Sequence, residues 1–147
     1  MFRLKPGARR FAIGFLCFVI LVGTFSLGLV AAQQQTPTTK ITPLMKQIIA
    51  DFPGHEVTMI TLDIPPGGGS LPHRHPGHHT FGYVLEGTYK IKLDNGPETS
   101  LIKGQTFYEA PGQLHAVSRN GSDTEPAKVL VVMLAESGKP VTVPERQ

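Results

Sequence analysis

Six histidines are the residues of this 147-residue chain most able to do chemistry, and four of them fall within residues 73–79, HRHPGHH. Side chains two apart on a β-strand point to the same face, so His73 and His75 can present two imidazoles together. A third imidazole, His115, follows a second turn in the segment APGQLH. Three such nitrogens from two strands form one face of a metal site and leave positions open for water or substrate.

The segments around these histidines predict a turn-rich β structure. Glycine and proline are frequent, with 16 and 13 residues, a density of helix breakers that disfavours a helical bundle. Residues 44–50 fit either a short helix or an edge strand. The apolar, alternating or β-branched segments predict strands over residues 56–64, 81–85, 89–93, 99–102, 106–109, 116–119 and 129–135. We therefore expect an all-β sandwich or barrel, with an extended arm after Gly138.

The first 32 residues have the composition of an export segment. Four basic residues precede the uncharged stretch 11–32, which ends in Val30-Ala31-Ala32. This pattern predicts a signal peptide cleaved after Ala32, and an uncleaved membrane anchor is the alternative. Either way the remainder is expected to be periplasmic or extracellular. It would contain no disulfide, because the one cysteine is Cys17.

The charge of the remaining chain argues against nucleic-acid binding. The whole chain has 14 basic and 11 acidic residues, a net charge of +3. Without the four basic residues of segment 1–32, the remainder has 10 basic and 11 acidic residues. A nucleic-acid-binding domain would keep a basic patch in its folded part. We expect a linker over residues 33–43 and a single domain over residues 44–147.

The two histidine segments resemble the two motifs of the cupin family. Gly67, His73, His75 and Gly87 fill positions of the first motif, G-x5-H-x-H-x(3,4)-E-x6-G. Gly104, Gly112 and His115 fill positions of the second, G-x5-P-x-G-x2-H-x3-N. The resemblance covers residues 55–135. It implies a β-barrel or jelly roll with a metal near its mouth, and a homodimer formed through sheet faces or exchanged N-terminal strands.

The family's glutamate ligand is missing from the first motif. Its position falls on Thr80 or His79, depending on the direction of counting, and neither is a carboxylate. Strand alternation points these two side chains to opposite faces, and the turn at Pro76-Gly77 leaves open which one points inward. We therefore predict one divalent ion (Fe, Mn, Ni, Cu or Zn) on His73, His75 and His115, with His79 as a candidate fourth ligand. His78 is expected to be exposed.

Neutral ligands would leave the ion's charge uncompensated. Three imidazoles keep the local charge near +2, which favours an anionic ligand or substrate. Five further residues could line the barrel cavity, but we interpret them as packing or surface residues and assign no catalytic residue: Tyr83, Tyr89, Tyr108, Glu109 and Gln113.

Three functions are compatible with these features. The first is an exported metal-dependent oxidoreductase of the dioxygenase type, acting on a small aromatic or keto compound. The second is a non-catalytic barrel that captures a small ligand. The third is an interaction domain held near the membrane by its N-terminal helix. Fold alone does not separate them, because one fold serves many functions.

Overall fold

A computed structural model describes residues 37–146. The predicted signal or anchor helix of residues 1–32 lies outside this range. Within it, none of the residues forms a helix that is long and apolar enough to cross a membrane. The secondary structure of the range consists of eleven β-strands: β1 (Lys40–Ile48), β2 (His55–Ile64), β3 (Gly69–Ser70), β4 (His73–Arg74), β5 (His78–Glu86), β6 (Thr88–Leu93), β7 (Thr99–Ile102), β8 (Thr106–Glu109), β9 (Leu114–Asn120), β10 (Ala127–Glu136) and β11 (Val143–Pro144).

The strands form two antiparallel sheets. One has the order β1-β2-β10-β5-β8, and the other has the order β11-β4-β9-β6-β7 with β3 paired to β9. Consecutive strands often lie in different sheets, as in a jelly roll. The predicted all-β class is confirmed.

The central strands β2 and β10 pair over ten residues, from Ile64 opposite Ala127 to His55 opposite Glu136. Both segments are rich in β-branched and other apolar residues, which suit a pleated surface that is covered on one face. Every second residue of β10 is buried, from Ala127 to Ala135. The inward residues of both sheets form one core, which consists of Ile64, Val84, Tyr89, Ile91, Ala127, Val129, Val131 and Met133.

The first segment and the C-terminal tail of the predicted domain both form extended structure. The segment 44–50, left open between helix and strand, lies largely in the edge strand β1, which begins at Lys40 and so includes part of the expected linker. The tail after Gly138 is an extended arm, and its strand β11 pairs with β4, the strand that carries His73. The arm therefore reaches the histidine cluster.

Candidate metal centre

The strand pair β4–β9 brings the two histidine segments together. His73 lies directly opposite His115 in this pair, and His75 follows immediately after β4. The ring centroid of His73 is 4.9 Å from that of His75 and 4.9 Å from that of His115. One nitrogen of each of the three rings lies within 4.8 Å of the others. The structure therefore brings together the three histidines that the sequence predicts as metal ligands.

Backbone carbonyls orient two of these rings. Nδ1 of His73 donates to the carbonyl of Leu71 at 2.7 Å, and Nδ1 of His75 donates to the carbonyl of Val141. A neutral imidazole has one donor and one acceptor nitrogen, so these bonds leave both Nε2 lone pairs free. Metal-binding histidines are fixed by such second hydrogen bonds.

Partial burial keeps the His73 ring in the form that a metal needs. Burial lowers the pKa of His73 below its ordinary value, and the nearby rings of His115 and His75 lower it further. A metal ligand must be deprotonated, so a lowered pKa favours ligation at neutral pH.

His115 is buried between a phenol and a carboxylate. Its side chain is 3% exposed. Its Nε2 lies 3.3 Å from the hydroxyl of Tyr89, which is also hydrogen-bonded to Oγ of Ser118 at 2.7 Å. Complete burial raises the pKa of Tyr89, so the phenol stays neutral. Nδ1 of His115 faces Oε1 of Glu109 at 3.2 Å.

Glu109 is one of the five residues that could line the cavity; it was expected to be a packing or surface residue, but its carboxylate lies beside His75 and His115. It lies at the end of β8, is 2% exposed, and places Oε2 4.0 Å from Nε2 of His75. Three buried polar atoms here have no hydrogen-bond partner in the described part of the chain: Oε2 of Glu109, Nδ1 of His115 and Oγ1 of Thr80. Buried polar atoms are rarely left unpaired, and a bound ion would satisfy the first two. The donor set therefore fits a divalent metal.

His79, the candidate fourth ligand, is not brought to the other three histidines. The strand β5 begins at His78 and alternates from there, so His78 and Thr80 are buried and His79 is exposed. Nδ1 of His79 is hydrogen-bonded to the hydroxyl of Tyr108 on the outer face, at 2.7 Å. His78 was expected to be exposed, and this was wrong. Its side chain packs inward, and Nδ1 donates to the carbonyl of Pro76 at 2.9 Å.

The remaining candidates divide between the two faces of the barrel. Tyr89 and Glu109 line the cavity at the histidine cluster. Tyr83 and Tyr108 are exposed on the outer face. Gln113 lies in the turn before β9, where its amide nitrogen donates to Asp94 at 2.9 Å. Only the first two are placed to influence a ligand at the cluster.

A cavity of about 520 Å³ opens onto the histidines between the two sheets. Its wall away from the cluster is mostly apolar, and no lysine or arginine occurs among the described residues that line it. This wall consists largely of Ile41, Ile60, Leu62, Leu71, Phe107, Val131, Met133 and Val141. A cavity with apolar walls and a few converging polar groups is typical of a small-molecule site.

Sequence comparison identifies the family of the chain. The Cupin domain profile matches residues 60–133, half of the chain, and so the chain belongs to the cupin family. The rhicadhesin receptor of Pisum sativum is 33% identical over an alignment of 96 positions, which covers 60% of this chain and 42% of the receptor. The chain therefore spans less than half the length of that relative.

Solved structures show the same fold. The protein TT1209 from Thermus thermophilus superposes with a TM-score of 0.55 at 24% identity, over 67% of this chain and 84% of that protein. Oxalate oxidase in complex with the substrate analogue glycolate superposes with a TM-score of 0.56 at 24% identity, over 71% of this chain and 54% of the oxidase. At these identities the likeness establishes the fold.

Proposed function

We propose that this chain is an exported cupin that holds one divalent metal ion on His73, His75 and His115 and binds a small organic molecule beside it. The convergence of three ring nitrogens within 4.8 Å carries the proposal. A bound divalent ion would act as a Lewis acid toward an oxygen of that molecule. The protein's own residues orient the ligand imidazoles and enclose the molecule in an apolar wall.

The cavity supports a ligand with one oxygen-bearing end and an apolar body. The oxygen end would face the histidines, and the body would pack on side chains such as Ile60, Leu62 and Val131. Without a lysine or arginine among the described lining residues, a compact dianion would have no second cationic partner. Glycolate, which oxalate oxidase binds, is a monocarboxylate. Small aromatic or keto acids are therefore our preferred ligand class.

Oxidoreductase activity of the dioxygenase type is the first candidate, because a three-histidine centre leaves coordination positions open. The second candidate, ligand capture without turnover, has its own support. Apart from the three histidines, the titratable side chains among the described residues that line the cavity are Tyr89 and Glu109. A catalyst of proton transfer would need such a group within hydrogen-bond reach of its substrate.

Export rests on the leader, residues 1–32. We propose that the folded part lies in the periplasm or outside the cell, with signal cleavage after Ala32 preferred to anchoring. Intact-mass measurement of the protein from its native cell separates the two. A mature chain starting at Gln33 supports cleavage, and a full-length membrane-bound chain supports the anchor. A full-length soluble cytoplasmic chain would contradict export.

A homodimer is supported by the exposed edge strand β1. Its apolar side chains Ile41 and Ile48 are 60% and 63% exposed. In the described residues β1 pairs on one side with β2, and its other edge is available for pairing. Apolar edge strands associate readily, and a second copy of β1 supplies a matching edge. Light scattering at micromolar concentration should give the mass of a dimer, whereas a monomer mass would contradict this arrangement.

The deciding experiment for function is metal analysis of the protein purified from its native compartment, followed by assays with small aromatic and keto acids. Redox-active metal with turnover supports the dioxygenase-type activity. Zinc, with ligand-induced thermal stabilisation and no turnover, supports capture. Purified protein that takes up none of Fe, Mn, Ni, Cu or Zn at micromolar concentration would contradict the metal-dependent function.

A further inference from the structure

We propose that Glu109 on β8 supplies the carboxylate ligand of this metal centre, in place of the glutamate that the cupin motif puts on β5. The inference rests on the proposed three-histidine site and adds a fourth protein ligand from another strand. It is carried by a strand register, by two distances and by unpaired buried atoms.

The register places Glu109 beside the motif position. In the antiparallel pair β5–β8, Glu109 lies directly opposite Thr80, the residue at the family's glutamate position counted back from Gly87. Directly opposed residues point to the same face, with Cβ atoms about 4.5–5.5 Å apart. Both Thr80 and Glu109 are buried and line the cavity. A carboxylate at position 109 of β8 therefore faces the same side of the sheet as one at position 80 of β5, directly across the strand pair.

The distances suit donors that share one ion. Oε1 of Glu109 is 3.2 Å from Nδ1 of His115, and Oε2 is 4.0 Å from Nε2 of His75. Ligand atoms about 2.0–2.2 Å from a metal in a tetrahedral site lie roughly 3.2–3.6 Å from one another. The carboxylate therefore needs only a small adjustment to bind the ion that the histidines hold.

The buried carboxylate of Glu109 requires a partner that compensates its charge. Glu109 is 2% exposed, and in the described residues its ion-pair contacts are His75 and His115. Its Oε2 accepts no hydrogen bond from any described residue. A buried carboxylate is costly unless it is paired or bound to a metal. A divalent ion between the rings satisfies Oε2 of Glu109 and Nδ1 of His115 together.

This assignment changes the expected charge of the centre. With three neutral imidazoles the local charge would stay near +2, whereas the Glu109 carboxylate reduces it to near +1. The preference for an anionic ligand is then weaker than the motif alone predicts. Neutral keto compounds become acceptable ligands beside small acids.

Calorimetric titration of the metal-free, full-length protein with Zn²⁺ tests the assignment. We expect one Zn²⁺ per wild-type chain and an affinity reduced about tenfold or more in Glu109→Gln. Glu56→Gln is the matched control, because Glu56 is also buried but lies on β2 and pairs with Lys46 at 2.9 Å. That control should bind Zn²⁺ like the wild type. Wild-type affinity in Glu109→Gln would overturn the assignment.

An exchange of the two opposed residues separates ligation from mere support of His115. The double variant Thr80→Glu with Glu109→Thr returns the carboxylate to the motif position, from which it should restore most of the lost Zn²⁺ affinity. If the metal-free double variant unfolds at the same temperature as the metal-free wild type but still binds Zn²⁺ weakly, Glu109 is not a metal ligand. If the double variant does not fold, Co²⁺ spectra of wild type and Glu109→Gln decide: different visible bands support ligation, and identical bands overturn it.

The same titrations distinguish failure of this inference from failure of the proposed function. If wild type and Glu109→Gln bind Zn²⁺ equally while His75→Ala does not, the histidine site stands and Glu109 is not a ligand. If the wild-type protein binds no metal, both proposals are wrong.

Discussion

Nδ1 of His75 donates a hydrogen bond to the backbone carbonyl of Val141, a residue of the C-terminal arm. The arm is anchored beside this contact, because β11 pairs with β4 and Glu145 accepts two hydrogen bonds from Arg74, at 2.7 and 3.0 Å. The C-terminal arm thus sets the ring orientation of a candidate metal ligand through Val141 and also lines the cavity with Val141, Thr142 and Pro144. Fold and site are coupled through this arm.

Removing residues 140–147 should weaken metal binding without unfolding the barrel. The arm contributes no residue to the main core, but its loss frees the His75 ring. Loss of a second hydrogen bond to a metal ligand typically reduces affinity about 10–100-fold. Zn²⁺ titration measures the change, with a chain lacking only residues 146–147 as control. Equal affinity in all three proteins would show that the arm does not orient His75.

The anchoring of the arm should depend on pH in the acid range. Hydrogen bonds from Arg74 lower the pKa of Glu145, so the folded carboxyl binds its proton at lower pH than it does in the unfolded chain. The ion pair is therefore fully present above the ordinary carboxyl range, near pH 4.3, and is lost as pH falls through the lowered pKa.

NMR of the Arg74 Nε–H signal between about pH 6 and pH 3 should follow this loss. The transition should lie below the ordinary carboxyl range, and Glu145→Gln should abolish it. A transition at or above the ordinary value would contradict the paired geometry.

Gly82 is expected to be intolerant of a larger residue. It lies in β5 opposite Phe107 of β8, and a Cβ built on it would overlap the Phe107 ring. Gly82→Ala should lower the free energy of unfolding by about 1–3 kcal/mol, measured by urea denaturation. In a Phe107→Ala background the same change should cost less, because the ring is gone. An equal cost in both backgrounds would show that this contact is not the cause.

The sequence was informative where a pattern lies along one strand. β2 and β10 were predicted because their apolar, β-branched segments differ from the turns around them. The histidines were found because same-face spacing and a second turn are visible in the residue order. The sequence of β1 fits a helix or a strand because most side chains on both faces of the strand are exposed. Burial therefore imposes no alternation of apolar and polar residues on this segment.

Contacts between residues on different strands of the site could not be predicted from the sequence. Glu109 joins the cluster through the register of β8 on β5, and residue order does not reveal which residues face each other. The inward choice between His79 and Thr80 depends on the turn before β5, where Gly77 has a φ of 73°. That conformation sets the strand phase, and it is not visible in the motif count.

If His73, His75 and His115 together hold one divalent ion, the metal content per chain must depend on all three residues. Wild type and the single alanine variants at these three positions should be loaded with Zn²⁺, desalted and analysed by mass spectrometry, with His79→Ala as the matched control. Wild type and His79→Ala should retain one ion per chain, and the three cluster variants should retain almost none. Wild-type metal content in all three cluster variants would contradict the three-histidine site.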